Sequence, residues 1–395
     1  MAVDTAGRVE TSGGSLLTDQ RFRAIAVQVI VVVGLAAFVA FIIHNTAINL
    51  EKRGIATGFG FLNVPAGFDI ASSLIAYDAT MTHGRVFVVG LLNTILISIV
   101  GIICATIIGF VAGVLRLSHN WLVSRIAYVY VEGLRNIPLL LQILFWWGVF
   151  LGLPQVRQAI SFGDTVFLSN RGLQLPSPIY EPGFNLIPIA FVVGIIVTIL
   201  LSMWAKKRQE RTGQQFPVFL SALGLIIGLP ILAAIVTGFP LSWEIPEKKG
   251  FNFVGGFTIT PEFTGLWIAL SVYTGAFIAE NVRSGIQAVS HGQTEAAFAL
   301  GLRPNWTMRL IIIPQALRVI VPPLTSQYLN LAKNSSLAIA IGYPDLVSVF
   351  GNTSLNQTGQ AIEIIAMTMA VYLTLSLSIS AFMNWYNKKI ALVER

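Results

Sequence analysis

The stretch from Val86 to Leu115 carries no charged residue. A bilayer core takes about 20 apolar residues per helix, so this stretch is long enough to span with tilt. Seven more apolar runs lie at about 24–43, 134–153, 185–205, 216–238, 263–288, 308–332 and 364–386. Only 11% of the chain is charged, against about 25% for a soluble domain. A backbone in hydrocarbon must satisfy its own hydrogen bonds, and helices do so within one segment. The expectation is an all-α membrane protein with about eight transmembrane helices.

An even number of spans places both termini on one side, and the distribution of Lys and Arg chooses that side. With the termini inside, the inner segments hold Arg8, Arg21, Arg23, Arg116, Arg125, Lys206, Lys207, Arg208, Arg211, Arg303, Arg309, Lys388, Lys389 and Arg395. The outer segments hold Lys52, Arg53, Arg85, Arg157, Arg171, Lys248 and Lys249, although they are longer. They also carry more acids, Asp69, Glu181, Glu247 and Asp345 among them. The expected orientation is N-in and C-in. The net charge of +7 is scattered over loops between spans, so topology and lipid headgroups explain it and nucleic acid does not.

Residues 1–23 read as a cytoplasmic tail. Its polar Gly/Ser/Thr-rich start lacks the basic and apolar regions of a cleaved signal peptide. Residues 24–85 read as an N-terminal transmembrane helix and a periplasmic loop. One cysteine, Cys104, excludes an intrachain disulfide and a cysteine metal site. The four His residues show no ligand spacing, and no Ser/His/Asp arrangement is present, so neither a metal nor a catalytic residue is expected.

The loop at 289–314 is the one place where a soluble partner could push. Ser290-His291-Gly292-Gln293 has capping-box spacing, and good helix formers run from Gln293 to Leu300. Gly301 allows a left-handed stop. Pro304 prevents continuation, and Asn305 can cap a new helix that enters the membrane. The outcome is a short surface helix between two spans. Its sequence is Glu295-Ala296-Ala297, three residues, Gly301, nine residues, Ile311, one residue, Ile313 and Pro314. Two small residues let another protein approach the backbone, and Glu295 offers a charge for a partner cation.

This spacing resembles the EAA loop of permease subunits in binding-protein-dependent ABC importers, with Ile313 where Leu is common. Ala279-Glu280-Asn281-Val282-Arg283-Ser284-Gly285-Ile286, followed by Gly292-Gln293, looks like the polar amino-acid branch. So do Leu134-Arg135-Asn136-Ile137-Pro138-Leu139-Leu140-Leu141-Gln142 and Lys333-Asn334-Ser335-Ser336-Leu337. That branch usually shows Gly-Thr-Pro and Asp-Thr-Ser-Leu, where this chain has Asn-Ile-Pro and Asn-Ser-Ser-Leu. The extra N-terminal span, Gly58-Phe59-Gly60-Phe61-Leu62 and the insertion at 154–262 resemble broad-specificity L-amino acid permeases of Gram-negative bacteria, including the glutamate/glutamine/aspartate/asparagine type.

The resemblance implies a type I, MetI-like core of five helices, at 86–115, 134–153, 263–288, 308–332 and 364–386. The core region is then 86–390, with the inserted periplasmic and helix-pair region 154–262 inside it. It also implies the bacterial inner membrane, a second homologous permease subunit, an ATP-binding subunit dimer and a periplasmic amino-acid-binding protein. Glu295, Ala296, Ala297 and Gly301 would couple to the ATPase. The chain has no Gly-Lys dipeptide, hence no phosphate loop, so it is expected to need no cofactor itself while its partners bind ATP and Mg.

Glu132/Arg135 and Glu280/Arg283 are spaced i, i+3 on one helix face each. Charges at membrane depth are costly and face a partner or cavity. They read either as substrate contacts or as pairs that neutralise each other near helix ends. Lys333 with Asn334, Ser335 and Ser336 could receive a carboxylate, or could form a polar helix end in periplasmic water. Pro314, Pro322 and Pro323 interrupt the seventh span, which also carries Gln327. Candidate substrate-path residues are Glu132, Arg135, Asn136, Gln142, Glu280, Arg283, Gln327, Lys333, Asn334, Ser335 and Ser336. The alternatives are an ion-coupled secondary amino-acid transporter, for which mid-span carboxylates are few, and a membrane-embedded enzyme.

Overall fold

The computed structural model describes residues 20–390, apart from Arg53, Ile55 and Ala56. The expected tail lies outside the described residues up to residue 19, as do Arg8, Arg53 and Arg395 of the charge count. Helix α1 (Gln20–Lys52) has no part of its apolar stretch buried. A loop with a 3-10 turn at Gly60–Asn63 leads to α2 (His83–Leu115). Then come α3 (Trp121–Asn136) and α4 (Leu139–Leu151).

The region 154–262 contains β1 (Ile160–Phe162), β2 (Val166–Ser169), β3 (Gly172–Leu175) and β4 (Ser177–Tyr180) before the helix pair. The pair is α5 (Leu186–Thr212) and a second arm made of α6 (Val218–Leu223), a π turn at Gly224–Gly228 and α7 (Leu229–Val236). Strands β5 (Leu241–Glu244), β6 (Glu247–Lys249), β7 (Asn252–Val254) and β8 (Phe257–Ile259) follow. The chain ends with α8 (Pro261–Gln287), α9 (His291–Ala299), α10 (Pro304–Thr307), α11 (Ile313–Asn334), α12 (Leu355–Thr358) and α13 (Ala361–Ile390).

Seven helical segments among the described residues are long and apolar enough to cross a membrane, and eight if α3 and α4 form one bent span. The chain is thus mostly helical and multi-pass, as its apolar runs require. The straight span expected at 134–153 is a correction: α3 and α4 meet at 109°. Pro138 has no N–H to continue α3, and Ile137 before it is extended. Gln142 closes the corner. Its buried amide Nε2 donates to Leu134 O and Ile137 O, both at 2.9 Å.

The eight short strands are an addition that the helical reading did not anticipate. They form a four-stranded sheet in the order β1-β2-β3-β8 and two two-stranded ribbons, β4-β5 and β6-β7. Their pairing brings the two ends of residues 154–262 together. Tyr180 pairs with Leu241, and Leu173 with Ile259, so the chain returns beside the point where it left. The excursion between those points is the hairpin of α5 and α7. Its arms touch at Gly194, where an added Cβ would lie 2.6 Å from Leu225 O.

The core sits where α2, α4, α8 and α11 meet, around Ile97, Ile143, Leu266, Leu270, Ile278 and Leu331. Small residues set the closest approach. A Cβ at Gly109 would sit 2.4 Å from Ile278 Cγ2 and 2.9 Å from Gly275 O. Removing that Cβ lets two backbones approach without a side chain between them.

The segment between α11 and α13 packs on the N-terminal part of α2. Tyr343 Oη donates to Asn93 O at 3.1 Å, Asn93 Nδ2 to Pro344 O at 2.9 Å, and Leu346 N to Thr94 Oγ1 at 3.0 Å. Its π-helical stretch Val347–Ser354 ends at Ser354, whose Oγ is 2.9 Å from Nδ1 of buried His83. Phe61 stacks on Phe350 at 6.1 Å between ring centroids, and Gly58 N–H donates to the Glu363 carboxylate. The Gly58–Leu62 motif therefore straps the loop after α1 over this piece. Asp345, counted above as an outer acid, is fully buried here.

Candidate functional site

Two features stand out, one at each end of α11. The first is built on α9. Gly301 adopts φ +74°, Gly301 N donates to Phe298 O at 2.9 Å, and Leu302 N donates to Ala297 O at 3.1 Å. This double bond pattern satisfies the last carbonyls of α9 and fixes the stop. The capping expected at the other end is a correction. Ser290 precedes the helix, but its hydroxyl makes no cap hydrogen bond. Asn305 does not cap the next helix either. Arg303 is the N-cap, and Pro304 occupies the first position of α10, where its missing N–H costs nothing.

Between α10 and α11 the chain widens into a π turn, Met308–Ile312, and Ile313 N reaches back five residues to Met308 O. Pro314 follows. Farther along, Pro322 and Pro323 lie inside α11 without ending it, and both are exposed. The result is a groove of about 520 Å³ between α9 and the start of α11, lined by Ala296, Ala297, Leu300, Ile311, Pro314 and Gln315 among others. Gln315 Nε2 ties the two walls through Gln293 Oε1 at 3.2 Å.

Of the coupling candidates, Glu295 is exposed and accepts from or pairs with His291 Nδ1 at 3.1 Å. Ala296 is exposed, whereas Ala297 is turned inward at 1% exposure. Phe298 and Leu300 stand exposed beside them, and Leu300 reaches 81%. Sequence reasoning passed over both. Their signal was two large apolar residues on a short helix with no lipid run around it.

The substrate-path candidates divide into separate places. Glu132, Arg135, Glu280 and Arg283 join one ion network through Arg116, the C-cap of α2. Arg116 contacts Glu280 directly and Glu132 at 3.5 Å, while Arg283 Nε lies 3.2 Å from both Glu280 oxygens. Asn136 Nδ2 turns back to Glu132 O at 2.7 Å. Gln142 holds the corner already described. Gln327 is half-buried on α11. The sequence placed Arg116 in a loop and therefore missed the network's central cation.

Lys333 and Ser336 lie at the second feature, a cleft of about 470 Å³ between the end of α11 and α13. Ser335, by contrast, is fully buried, with its hydroxyl on Ala332 O at 2.8 Å, and Asn334 is half-buried outside the lining. The far wall is Thr368, Tyr372 and Ser376 of α13, none of which the sequence singled out. They sit at i, i+4 and i+8, so they share one face of α13.

Residues 105–392 match the family described as binding-protein-dependent transport system inner membrane component. The chain belongs to this family. It is a multi-pass permease subunit of such a transport system. The general L-amino acid transport system permease protein AapQ of Rhizobium johnstonii is 51% identical over 397 residues, covering 100% of this chain and 99% of that one. The putative amino-acid ABC transporter permease protein YhdX of Escherichia coli is 53% identical, covering 98% and 99%. The glutamate/glutamine/aspartate/asparagine transport system permease protein BztB of Rhodobacter capsulatus is 45% identical, covering 96% of each.

Proposed function

We propose that this chain is the permease subunit of an ABC importer for L-amino acids, polar, acidic or of broad range. It sits in the bacterial inner membrane with both termini in the cytoplasm, within membrane lipid. It pairs with a second homologous permease, a dimer of ATP-binding subunits and a periplasmic amino-acid-binding protein. ATP and Mg bind to the ATPase subunits, and this chain performs no chemistry of its own. Three relatives of full length, each named as an amino-acid permease, support the substrate class.

The observation that carries the coupling role is the stopped helix α9 with a groove behind it. Glu295, Ala296, Ala297 and Gly301 form a rigid lever whose end is fixed by Gly301. A motor that closes against α9 moves α11 through the groove contacts, and the spans rock between two access states. The amino acid passes along residues drawn from the path candidates, Lys333 and Ser336 foremost.

The test is reconstitution with and without the partner subunits. ATP-driven uptake should need all of them, and Glu295→Ala together with Gly301→Val should abolish it. Ion-gradient uptake by the purified chain alone would favour the secondary-transporter reading instead.

A further inference from the structure

We infer that the β4–β5 ribbon, at the head of the α5–α7 hairpin, is an interfacial anchor whose aromatic face lies among lipid headgroups and the first acyl carbons.

The ladder fixes which residues share that face. Cross-strand partners in an antiparallel pair point to the same side, and successive residues to opposite sides. Tyr180 opposite Leu241 and Pro178 opposite Trp243 make one side wholly apolar. Tyr180 is 62% exposed and Trp243 58%. Phe184, just before α5, sets its ring against Tyr180 at 4.3 Å between centroids. The other side holds Ser177, Ser242 and Glu244 beside Ile179, and Ser177 Oγ donates to Glu244 Oε2 at 3.1 Å. Glu244 is turned toward the connection between β7 and β8, since a Cβ on Gly255 would lie 2.9 Å from its Oε1. The polar side therefore backs onto the strands, and the aromatic side faces away from them.

Depth argues for lipid as the occupant. Only 6% of the apolar stretch of α5 is buried, and none of that of its return arm. The uncharged part of α5, Leu186–Ala205, rises about 30 Å, the thickness of a hydrocarbon core. It ends at Lys206, Lys207 and Arg208, which hold that end at one headgroup layer. Tyr180 and Trp243 then fall at the opposite layer, where rings with one polar tip are favoured. Neither the Tyr180 hydroxyl nor the Trp243 indole N–H has a hydrogen-bond partner among the described residues, so both tips are left for headgroups and water. Phe239 adds an independent sign. It is 65% exposed and adopts φ +56°, a strained conformation for a residue with a side chain. Water offers that ring nothing to offset the strain, whereas burial among acyl chains does.

The experiment uses the complete transport complex in lipid nanodiscs, its other subunits free of cysteine. A nitroxide is attached to single cysteines, Tyr180→Cys, Trp243→Cys, Ser177→Cys and Ser242→Cys, each in a Cys104→Ser chain. Collision with oxygen, which concentrates in lipid, is compared with collision with a water-soluble nickel chelate. The oxygen-to-nickel ratio should be at least three-fold higher at 180 and 243 than at 177 and 242. Equal ratios on the two sides overturn the anchor. So does shielding of 180 and 243 from both reagents, which marks a protein partner on this face. The unsubstituted complex gives a second reading. A phospholipid with a diazirine at the head of its acyl chain should, on illumination, leave adducts on Tyr180 or Trp243, located by mass spectrometry. Adducts on α5 with none on either residue overturn the anchor as well.

Discussion

The guanidinium of Arg116, at the end of α2, contacts the carboxylate of Glu280, in the interior of α8 and 164 residues away. Through Glu132 the same arginine reaches α3, so three helices share one cation. Neither side chain is more than a quarter exposed, at 10% and 23%. Glu280 therefore balances two arginines, whereas Glu132 contacts the same network at 3.5–4.0 Å. Glu280→Gln should cost more than Glu132→Gln, by about 1–3 kcal/mol, since it leaves partly buried cations without their counter-charge. Thermal unfolding of the two purified variants checks the order, and equal losses would contradict it.

The stop of α9 depends on the left-handed turn of Gly301, with open space where a Cβ would be added. Strain is then purely a matter of backbone. Gly301→Val should cost about 1–3 kcal/mol locally and unfasten the helix stop. Gly301→Asn should be milder, because Asn tolerates that region. ATP-driven import in the reconstituted complex is expected to be lost with Val and mostly kept with Asn. Similar import by both variants would count against the turn.

Contact between α2 and α8 is set by Gly109, so Gly109→Ala drives a methyl into Ile278 and Gly275 O. Overpacking of this kind costs about 1–3 kcal/mol. Gly133, on α3, has nothing within 4 Å of an added Cβ. Gly133→Ala should be neutral or stabilising by up to about 1 kcal/mol. Melting temperatures of the two alanine variants should therefore move in opposite directions or differ clearly.

Asp345 lies between the spans, and burial pushes its carboxyl from 3.8 up to about 7, against the hydrogen bonds it accepts. The folded protein holds this proton to a higher pH than the unfolded chain does. Its stabilising contribution is complete below 3.8 and is lost as pH rises through about 7. Asp345→Asn cannot ionise, so its stability should gain on the parent as pH rises from 5 to 8. Parallel melting curves across that range would refute the linkage.

The spans were legible because lipid demands long uncharged runs, and seven of the eight appear near their expected places. The eighth failed for a local reason. Apolarity continues through Pro138, while the chain turns by 109° on a hydrogen-bonded Gln142. The Gly301 stop was legible too, because positive φ has a residue signature. The strands were not, since runs of three or four residues have too short a period to stand out between Gly and Pro.

Sequence alone determined that this polypeptide crosses the membrane many times and presents a short helix ended by Gly301. Those properties follow from local composition and backbone conformation. Only the tertiary structure decided which charges neutralise one another and which stay open. Arg116 meets Glu280 across 164 residues, Asp345 disappears behind Tyr372, and Lys333 is left facing a cleft. Electrostatic energy depends on distance and burial in space, and neither can be read from separation along the chain.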